Sequence, residues 1–352
     1  MTNQLTKEAI ELLKNLISKQ SFSGEENETA MLIMQWFSSH EIKFESDKHN
    51  VWAKNKHFDA SKKTILLNSH HDTVKPNKNY TKNPFNPEVS DGKLYGLGSN
   101  DAGGCLVSLL ATFTYFYDRS GLKYNFVIVA SAEEESSGQN GLNSMLDIIP
   151  PIDFAIIGEP TLMQLAIAEK GLLVLDCEAK GTSCHAAHGM GDNSIYNAIE
   201  DINWFQTYEF PKHSETLGKV KMTVTQIEAG NQHNVIPASC KYVVDVRVTN
   251  AYNNEEVLEI IQSNVKSEVV ARSLRLNSSS IPKNHPIVQA GIKLGRETYG
   301  SPTLSDQSVL SCPSLKLGPG QSLRSHTADE FIYIKEIEEG VDLYIKILNE
   351  IV

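Results

Sequence analysis

Short apolar runs recur along the chain, and chemically active polar residues follow each of them. Residues 64–68 (TILLN), 126–130 (FVIVA), 154–157 (FAII) and 315–317 (LKL) read as short strands. Their apolar character is nearly continuous rather than alternating, which predicts strands buried on both faces. Helical stretches separate them, notably 102–118. At the amino end Ile10, Leu13 and Ile17 recur at helical spacing. A second helix is signalled by Ser23 with Glu26 three residues on, a capping-box pattern, followed by the stripe Ala30, Ile33, Met34 and Phe37. Strands alternating with helices predict the α/β class, a central sheet with helices on both faces.

Residues 170–279 have a different rhythm. Strands are expected at 172–179, 220–227 and 241–248, and helices at 193–208 and 255–271. A last strand near 273–276 completes a β-α-β-β-α-β, ferredoxin-like order. This α+β segment lies between the strand at Phe154 and a helix expected over 286–299, so it reads as a domain inserted into the α/β domain. The run Ser278–Ser280 followed by Pro282 is the expected return linker. The division is therefore 1–169 with 280–352 for one domain and 170–279 for the other.

At 352 residues the chain is long for a single core, which agrees with two domains. The formal net charge of −11 argues against nucleic-acid partners and against anionic membrane surfaces. No apolar run approaches the ~20 residues that span a bilayer. Charges at Lys7, Glu8, Glu11 and Lys14 interrupt the apolar residues of the amino-terminal stretch, so no signal-peptide h-region is expected in it. Five scattered cysteines without a CxxC pair suit a reducing compartment, and a cytoplasmic location is expected.

In open α/β sheets ligands bind beyond the carboxyl ends of the strands. There the sequence supplies Ser69-His70-His71-Asp72, Glu133-Glu134-Glu135, Gly158-Glu159-Pro160 and Ser325-His326-Thr327, with Asp101 ahead of the helix at 102. Taken singly, each carboxylate reads as a turn residue or helix cap, and His326 as a surface histidine. Together, two histidines and several carboxylates on one edge are costly as unpaired charge and favourable around divalent cations. Nitrogen and oxygen donors without thiolate suit zinc, cobalt or manganese.

The order His-x-Asp, Gly-x-Gly-x-x-Asp, Glu-Glu, Glu-Pro-Thr and a late His resembles the dinuclear-zinc aminoacylase and carboxypeptidase family. That group includes acetylornithine deacetylase, succinyl-diaminopimelate desuccinylase, carboxypeptidase G and several dipeptidases. The resemblance runs from His70 to His326 and includes the inserted segment. It implies a zinc-peptidase-like mixed central sheet plus an inserted lid and dimerisation domain. It further implies two divalent metal ions, His70 and Glu159 on one, Glu135 and His326 on the other, Asp101 bridging both. Asp72 would orient His70 through its other ring nitrogen, and Glu134 would be the general base. A register of Glu133 and Glu134 in place of Glu134 and Glu135 stays open. A cis peptide bond at Asp101–Ala102 is also implied.

In the inserted segment Gly181-Thr182-Ser183-Cys184-His185 resembles the family's Gly-x-x-x-His turn, where the histidine stabilises the oxyanion in a partner subunit's site of a homodimer. Asn234, in Asn-Val-Ile-Pro, would contact substrate. Arg247 suits either bidentate recognition of a substrate carboxylate or a salt bridge on a strand surface. Two positions depart from the family pattern: Leu97 stands for its arginine and Gly103 for its lysine. The motifs Ser-Ala-Glu-Glu-Glu-Ser and Ser-His-Thr-Ala-Asp-Glu are most similar to those of acetylornithine deacetylase. The implied activity is release of an amino acid from its small-molecule Nα-acyl form in arginine biosynthesis, with acetylornithine or acetyl- or succinyl-citrulline as substrate. A dipeptidase or a diaminopimelate desuccinylase is the alternative.

Overall fold

Successive side chains of a strand point to opposite faces, and in the central sheet both faces are covered. In the strand Thr64–His70, Ile65 and Leu67 enter one core and Leu66 the other. The strand Asn125–Ser131 divides likewise: Phe126, Ile128 and Ala130 face one way, Val127 and Val129 the other. The first, larger core contains the helices Thr2–Ile17, Gly104–Phe116 and Ile334–Asn349. The second is closed by the short helix Leu142–Met145 and the turn Asp306–Val309. Near-continuous apolar strands are what such double coverage requires.

The computed structural model describes residues 2–352. The chain divides into two units. The first runs to Ile167 and resumes as Ser280–Tyr299 and Ser305–Val352; the second is Ala168–Ser279 with Gly300–Leu304. The sheet of the first unit runs in the order Phe44–Asp47, Asn50–Lys54, Asn125–Ser131, Thr64–His70, Phe154–Ile157, Ser314–Lys316 and Leu165–Glu169, ending on Ser279–Ser280. Thr64–His70 is parallel to both its neighbours, and Ser314–Lys316 is parallel to Phe154–Ile157. Asn50–Lys54 and Leu165–Glu169 pair antiparallel, so the sheet is mixed. No helix among the described residues is long and apolar enough to cross a membrane.

The second unit is a four-stranded antiparallel sheet in the order Lys221–Ala229, Ser239–Val248, Gly171–Lys180, Glu268–Ala271. Its helices are Ser194–Thr207, capped by the Asn193 side chain on the Ile195 amide, and Asn254–Gln262, closed by an Asn253/Glu256 capping box. Leu173, Leu175, Cys177 and Ala179 alternate inward along the strand Gly171–Lys180 and share a core with Val244, Val246, Phe205 and Val257.

Several local expectations shift. The helix expected over 255–271 stops at Gln262, and the last strand is Glu268–Ala271 rather than 273–276. Val269 and Val270 are β-branched and pair with Cys177 and Asp176, so strand geometry takes these residues. The helix expected over 286–299 ends at Lys293, and Thr298–Ser301 is a strand. Residues 300–304, placed by sequence in the first domain, go with the second unit. Lys170 N donates to Ser301 O at 3.2 Å, and a Cβ on Gly300 would lie 2.4 Å from Thr216 O. The capping box at Ser23 and Glu26 is not formed; helix Asn27–Ser39 has no side-chain cap. Both residues are engaged elsewhere: Ser23 by Asp72, and Glu26 by the amides of Gly24 and Glu133.

The fold predicts where the first unit is most sensitive. Phe113 is fully buried and meets Phe37 edge-on at 6.3 Å. Phe113→Ala is expected to cost about 3–5 kcal/mol, read as a lower urea midpoint with the second unit's secondary structure retained.

Candidate metal centre

Because the central strands are parallel, their carboxyl ends share one edge of the sheet. Thr64–His70 ends on His70, Asn125–Ser131 leads into Glu133–Glu135, Phe154–Ile157 into Glu159, and Ser314–Lys316 into the loop that reaches His326. Asp101 arrives separately, on the irregular turn Ser99–Gly103 before helix Gly104–Phe116, and the Asp101–Ala102 peptide is cis.

Two groups of ligand atoms form there. His70, Asp101 and Glu159 make one, and Asp101, Glu135 and His326 the other, each with donor atoms within 4.8 Å of one another. Asp101 belongs to both, one oxygen to each side. His70 Nε2 lies 3.4 Å from Asp101 Oδ1 and 3.9 Å from Glu159 Oε1. His326 Nε2 lies 3.5 Å from Asp101 Oδ2 and 3.0 Å from Glu135 Oε2. Ligands held at ~2.0–2.1 Å on a tetrahedral zinc stand about 3.3 Å apart, so these spacings fit. His70 Nε2 is buried and makes no hydrogen bond, an orphan that a cation would satisfy.

Glu134 faces the same space, its Oε2 3.9 Å from His70 Nε2. Glu133 turns away, its carboxylate accepting from Asn140 N and Nδ2 at 3.1 and 2.9 Å. The geometry therefore brings Glu134 and Glu135, not Glu133, to the centre. Asp72 meets the other ring nitrogen of His70 through two of its oxygens. His70 Nδ1 is 3.0 Å from the main-chain carbonyl of Asp72, with the carboxylate at 3.3 Å. That carboxylate accepts from Ser23 Oγ at 2.7 Å and from the amides of Glu134 and Glu135, each at 3.1 Å.

His185, Asn234 and Arg247 lie in the second unit. His185 is exposed, and its Nδ1 accepts from Ala187 N at 3.1 Å. Asn234 is its neighbour, the Asn234 carbonyl accepting from Ala186 N at 2.9 Å. Arg247 makes a forked pair with Asp245, Nε to Oδ1 at 2.9 Å and Nη2 to Oδ2 at 3.0 Å, the strand-surface salt bridge of the two readings above. The departure at Gly103 has a steric account in this chain: a Cβ there would lie 2.5 Å from Gly98 O and 2.6 Å from Leu13 Cδ1.

The electrostatics also call for a cation. Burial, opposed by His70 and reinforced by Glu159, Asp306 and Glu135, holds the Glu134 carboxyl well above the usual range. Burial and then the charge of Asp101 push Glu159 to about 8, with Lys316 pulling the other way. The Glu135 hydrogen bond raises His326 to about 9. Burial works against ionised Asp101, but its contacts with His70 outweigh this and keep it below its ordinary value.

Three buried residues at this edge escaped the sequence reading. Asp306 accepts from Ser131 Oγ at 2.6 Å, and burial raises it to about 6. Lys316 is 2% exposed although flanked by the buried Leu315 and Leu317; a lysine inside an apolar strand run was its signal. Glu330 closes the Ser-His-Thr-Ala-Asp-Glu motif, whose likeness to a family pattern assigns it no role. Burial and Asp101 raise it to about 8 against the pull of three backbone amides.

The family described as Peptidase family M20/M25/M40 matches residues 66–350. Among curated relatives, the succinyl-diaminopimelate desuccinylase of Rickettsia felis is 27% identical over 97% of this chain and 99% of its own. That of Rickettsia bellii is 25% identical over 96% and 95%. Among solved structures, the aminopeptidase PepT from Bacillus cereus aligns with a TM-score of 0.78 at 16% identity, over 98% of both chains. An M20 family metallo-carboxypeptidase from Sulfolobus solfataricus gives 0.75 at 17%, over 98% and 99%. At these identities the structures establish a common fold.

The charge balance sets a pH dependence for the metal-stripped protein. Glu159 and Glu330 hold protons in the folded state that unfolded glutamates release near 4.5, so their contribution to stability declines as pH rises from there toward 8. His326, raised from 6.5 to about 9, contributes fully below 6.5 and loses this as pH climbs to 9. His71, lowered by burial to about 4, acts oppositely but only below 6.5. The melting temperature of chelator-treated protein is therefore expected to fall between about pH 6.5 and pH 8.5, and added divalent cation to reverse the fall. Thermal melts at both pH values, with and without metal, test this.

Proposed function

We propose that this chain, which belongs to peptidase family M20/M25/M40 and is a metal-dependent hydrolase of amide bonds, removes the acyl group from a small N-acyl amino acid. The observation that carries the reading is the sharing of Asp101 between two ligand groups, with the Glu134 carboxylate beside them. His70 and Glu159 would hold one divalent ion, Glu135 and His326 the other, with Asp101 between them. Zinc suits the donors best, and cobalt and manganese share the set. Bound there, the ions polarise the scissile carbonyl and make the attacking water more acidic.

The chain's own residues supply the rest. Glu134 belongs to neither ligand group, so its carboxylate can take the proton of the attacking water as the oxygen–carbon bond forms. It returns that proton to the amide nitrogen as the carbon–nitrogen bond breaks, leaving a carboxylic acid and an amine. Burial, which raises this carboxyl above its ordinary value, lets it hold the transferred proton better than an exposed glutamate would. Asp72 sets the positions of Glu134 and Glu135 through their amides and of His70 through its carbonyl. His185 would stabilise the oxyanion from a partner copy in a homodimer formed through the second unit, with Asn234 contacting substrate. Arg247 would reach a substrate carboxylate only by leaving Asp245.

The relatives named above favour succinyl-diaminopimelate as substrate. The order and composition of the motifs around Glu134 and His326 favour acetylornithine or acetyl- or succinyl-citrulline. These share an amide beside a carboxylate and differ in the acyl and side-chain pockets, where one methylene is worth only about 1–3 kcal/mol. A panel of these compounds and a few dipeptides, offered to zinc-loaded and chelator-treated protein, decides among them. Metal-dependent release of one amino acid is expected; no turnover of any member by protein carrying two ions would remove the deacylase reading. Glu134→Ala should keep its metal and lose at least ~100-fold in turnover, and near-normal turnover would take Glu134 out of the mechanism.

A further inference from the structure

Asp101 can serve two ligand groups only if the turn that carries it is held still. That turn is short, irregular and not held by regular helical bonding: Asp101 and Ala102 have non-helical backbone angles within it. Its amides point inward, where an unpaired donor costs about 1–3 kcal/mol. All of the acceptors for four of them come from one residue. Glu330 Oε1 accepts from Asn100 N at 2.8 Å and from Asp101 N at 2.9 Å, Oε2 accepts from Gly98 N at 3.0 Å, and the Glu330 carbonyl accepts from Gly96 N at 3.0 Å.

Glu330 is 2% exposed and follows His326 by four residues on the same loop. Two further ties join the loop to the turn. Asn100 Oδ1 accepts from Gln321 N at 3.0 Å, and Asn100 Nδ2 donates to Gln321 O at 3.1 Å. The neighbouring Asp329 carboxylate accepts from the amides of Thr81 and Lys82, each at 2.9 Å, which anchors the loop from its other side. One ligand of each candidate ion thus depends on the turn, and His326 on the loop that Glu330 fastens to it.

We propose that Glu330 is a positioning residue: by gathering the amides of the turn 96–101 it fixes Asp101 against the loop of His326, so that both metal groups take their spacing from it. The proposal rests on the two-metal reading above. Its carboxylate touches neither substrate nor a ligand atom; it acts through the backbone of Asp101. Glutamine at this position would keep one oxygen for Asn100 and Asp101 but turn an amide donor toward Gly98 N–H. Aspartate would keep the carboxyl group and withdraw both oxygens by one methylene.

Zinc affinity of the full-length protein, measured by competition with a chromophoric chelator, tests it. Glu330→Gln and Glu330→Asp are each expected to bind two zinc ions at least tenfold more weakly than wild type, within the 10–100-fold range for partners of metal ligands. Excess zinc should recover much of kcat, with KM little changed. A smaller loss of affinity at both ions in either folded variant overturns the proposal. If one variant does not fold, the other carries the test. Failure of both to fold, judged by circular dichroism of the metal-free proteins, also overturns it, because Glu330 would then determine the fold rather than position Asp101. Wild-type protein that binds fewer than two zinc ions would instead overturn the two-metal reading.

Discussion

The carboxylates of Asp101, Glu134, Glu135 and Glu159 stand at one sheet edge with His70 and His326, and several of them are enclosed. Like charges at this spacing and burial cannot all stay ionised without a counter-charge. The elevated Glu134 and Glu159 are one expression of that repulsion, and the orphaned His70 nitrogen is another. The parallel strands make the concentration unavoidable, because each delivers its carboxyl end to the same side. The edge is therefore a demand for cations imposed by topology, and the surrounding structure reads as the means of keeping it in shape.

That shape is maintained largely by a second layer of carboxylates that accept from the backbone rather than from ligands. Asp72 takes the amides of Glu134 and Glu135, Glu26 takes those of Gly24 and Glu133, and Glu330 takes those of the Asp101 turn. All three are at most 2% exposed. A carboxyl group offers two oxygens, each with more than one lone pair, so a single side chain can hold several loop amides at once. Irregular loops can then position side chains with a regularity usually reserved for helices and strands.

Much of this was legible in the sequence. The apolar runs identified the central strands to within a residue or two, and their following residues located the edge, because burial on both faces and parallel order leave strong composition signals. The alternating pattern of 220–227 and 241–248 likewise marked two strands of the second unit's sheet. What escaped depends on side chains meeting across the chain. Ser23 and Glu26 have the spacing of a capping box, but Ser23 donates to Asp72, 49 positions away, and no local pattern encodes that. Nothing local marks Glu330, because its partners lie 229 to 232 positions earlier. The helix-to-strand boundary near 262 was misplaced because Val269 and Val270 fit either period until their pairing with Cys177 and Asp176 decides.

At Gly103 two parts of the chain meet too closely for any side chain. Where the resembled pattern has lysine, this protein has closed the space: the Gly98 carbonyl and a methyl of Leu13 stand where the first side-chain carbon would go. The carbonyl belongs to a turn whose Gly98 amide is itself held, so it cannot easily give way. A lysine here would therefore require coordinated changes in the amino-terminal helix and in the turn. The glycine is thus part of how the amino-terminal helix closes on the Asp101 turn, and even an alanine there would push the two apart.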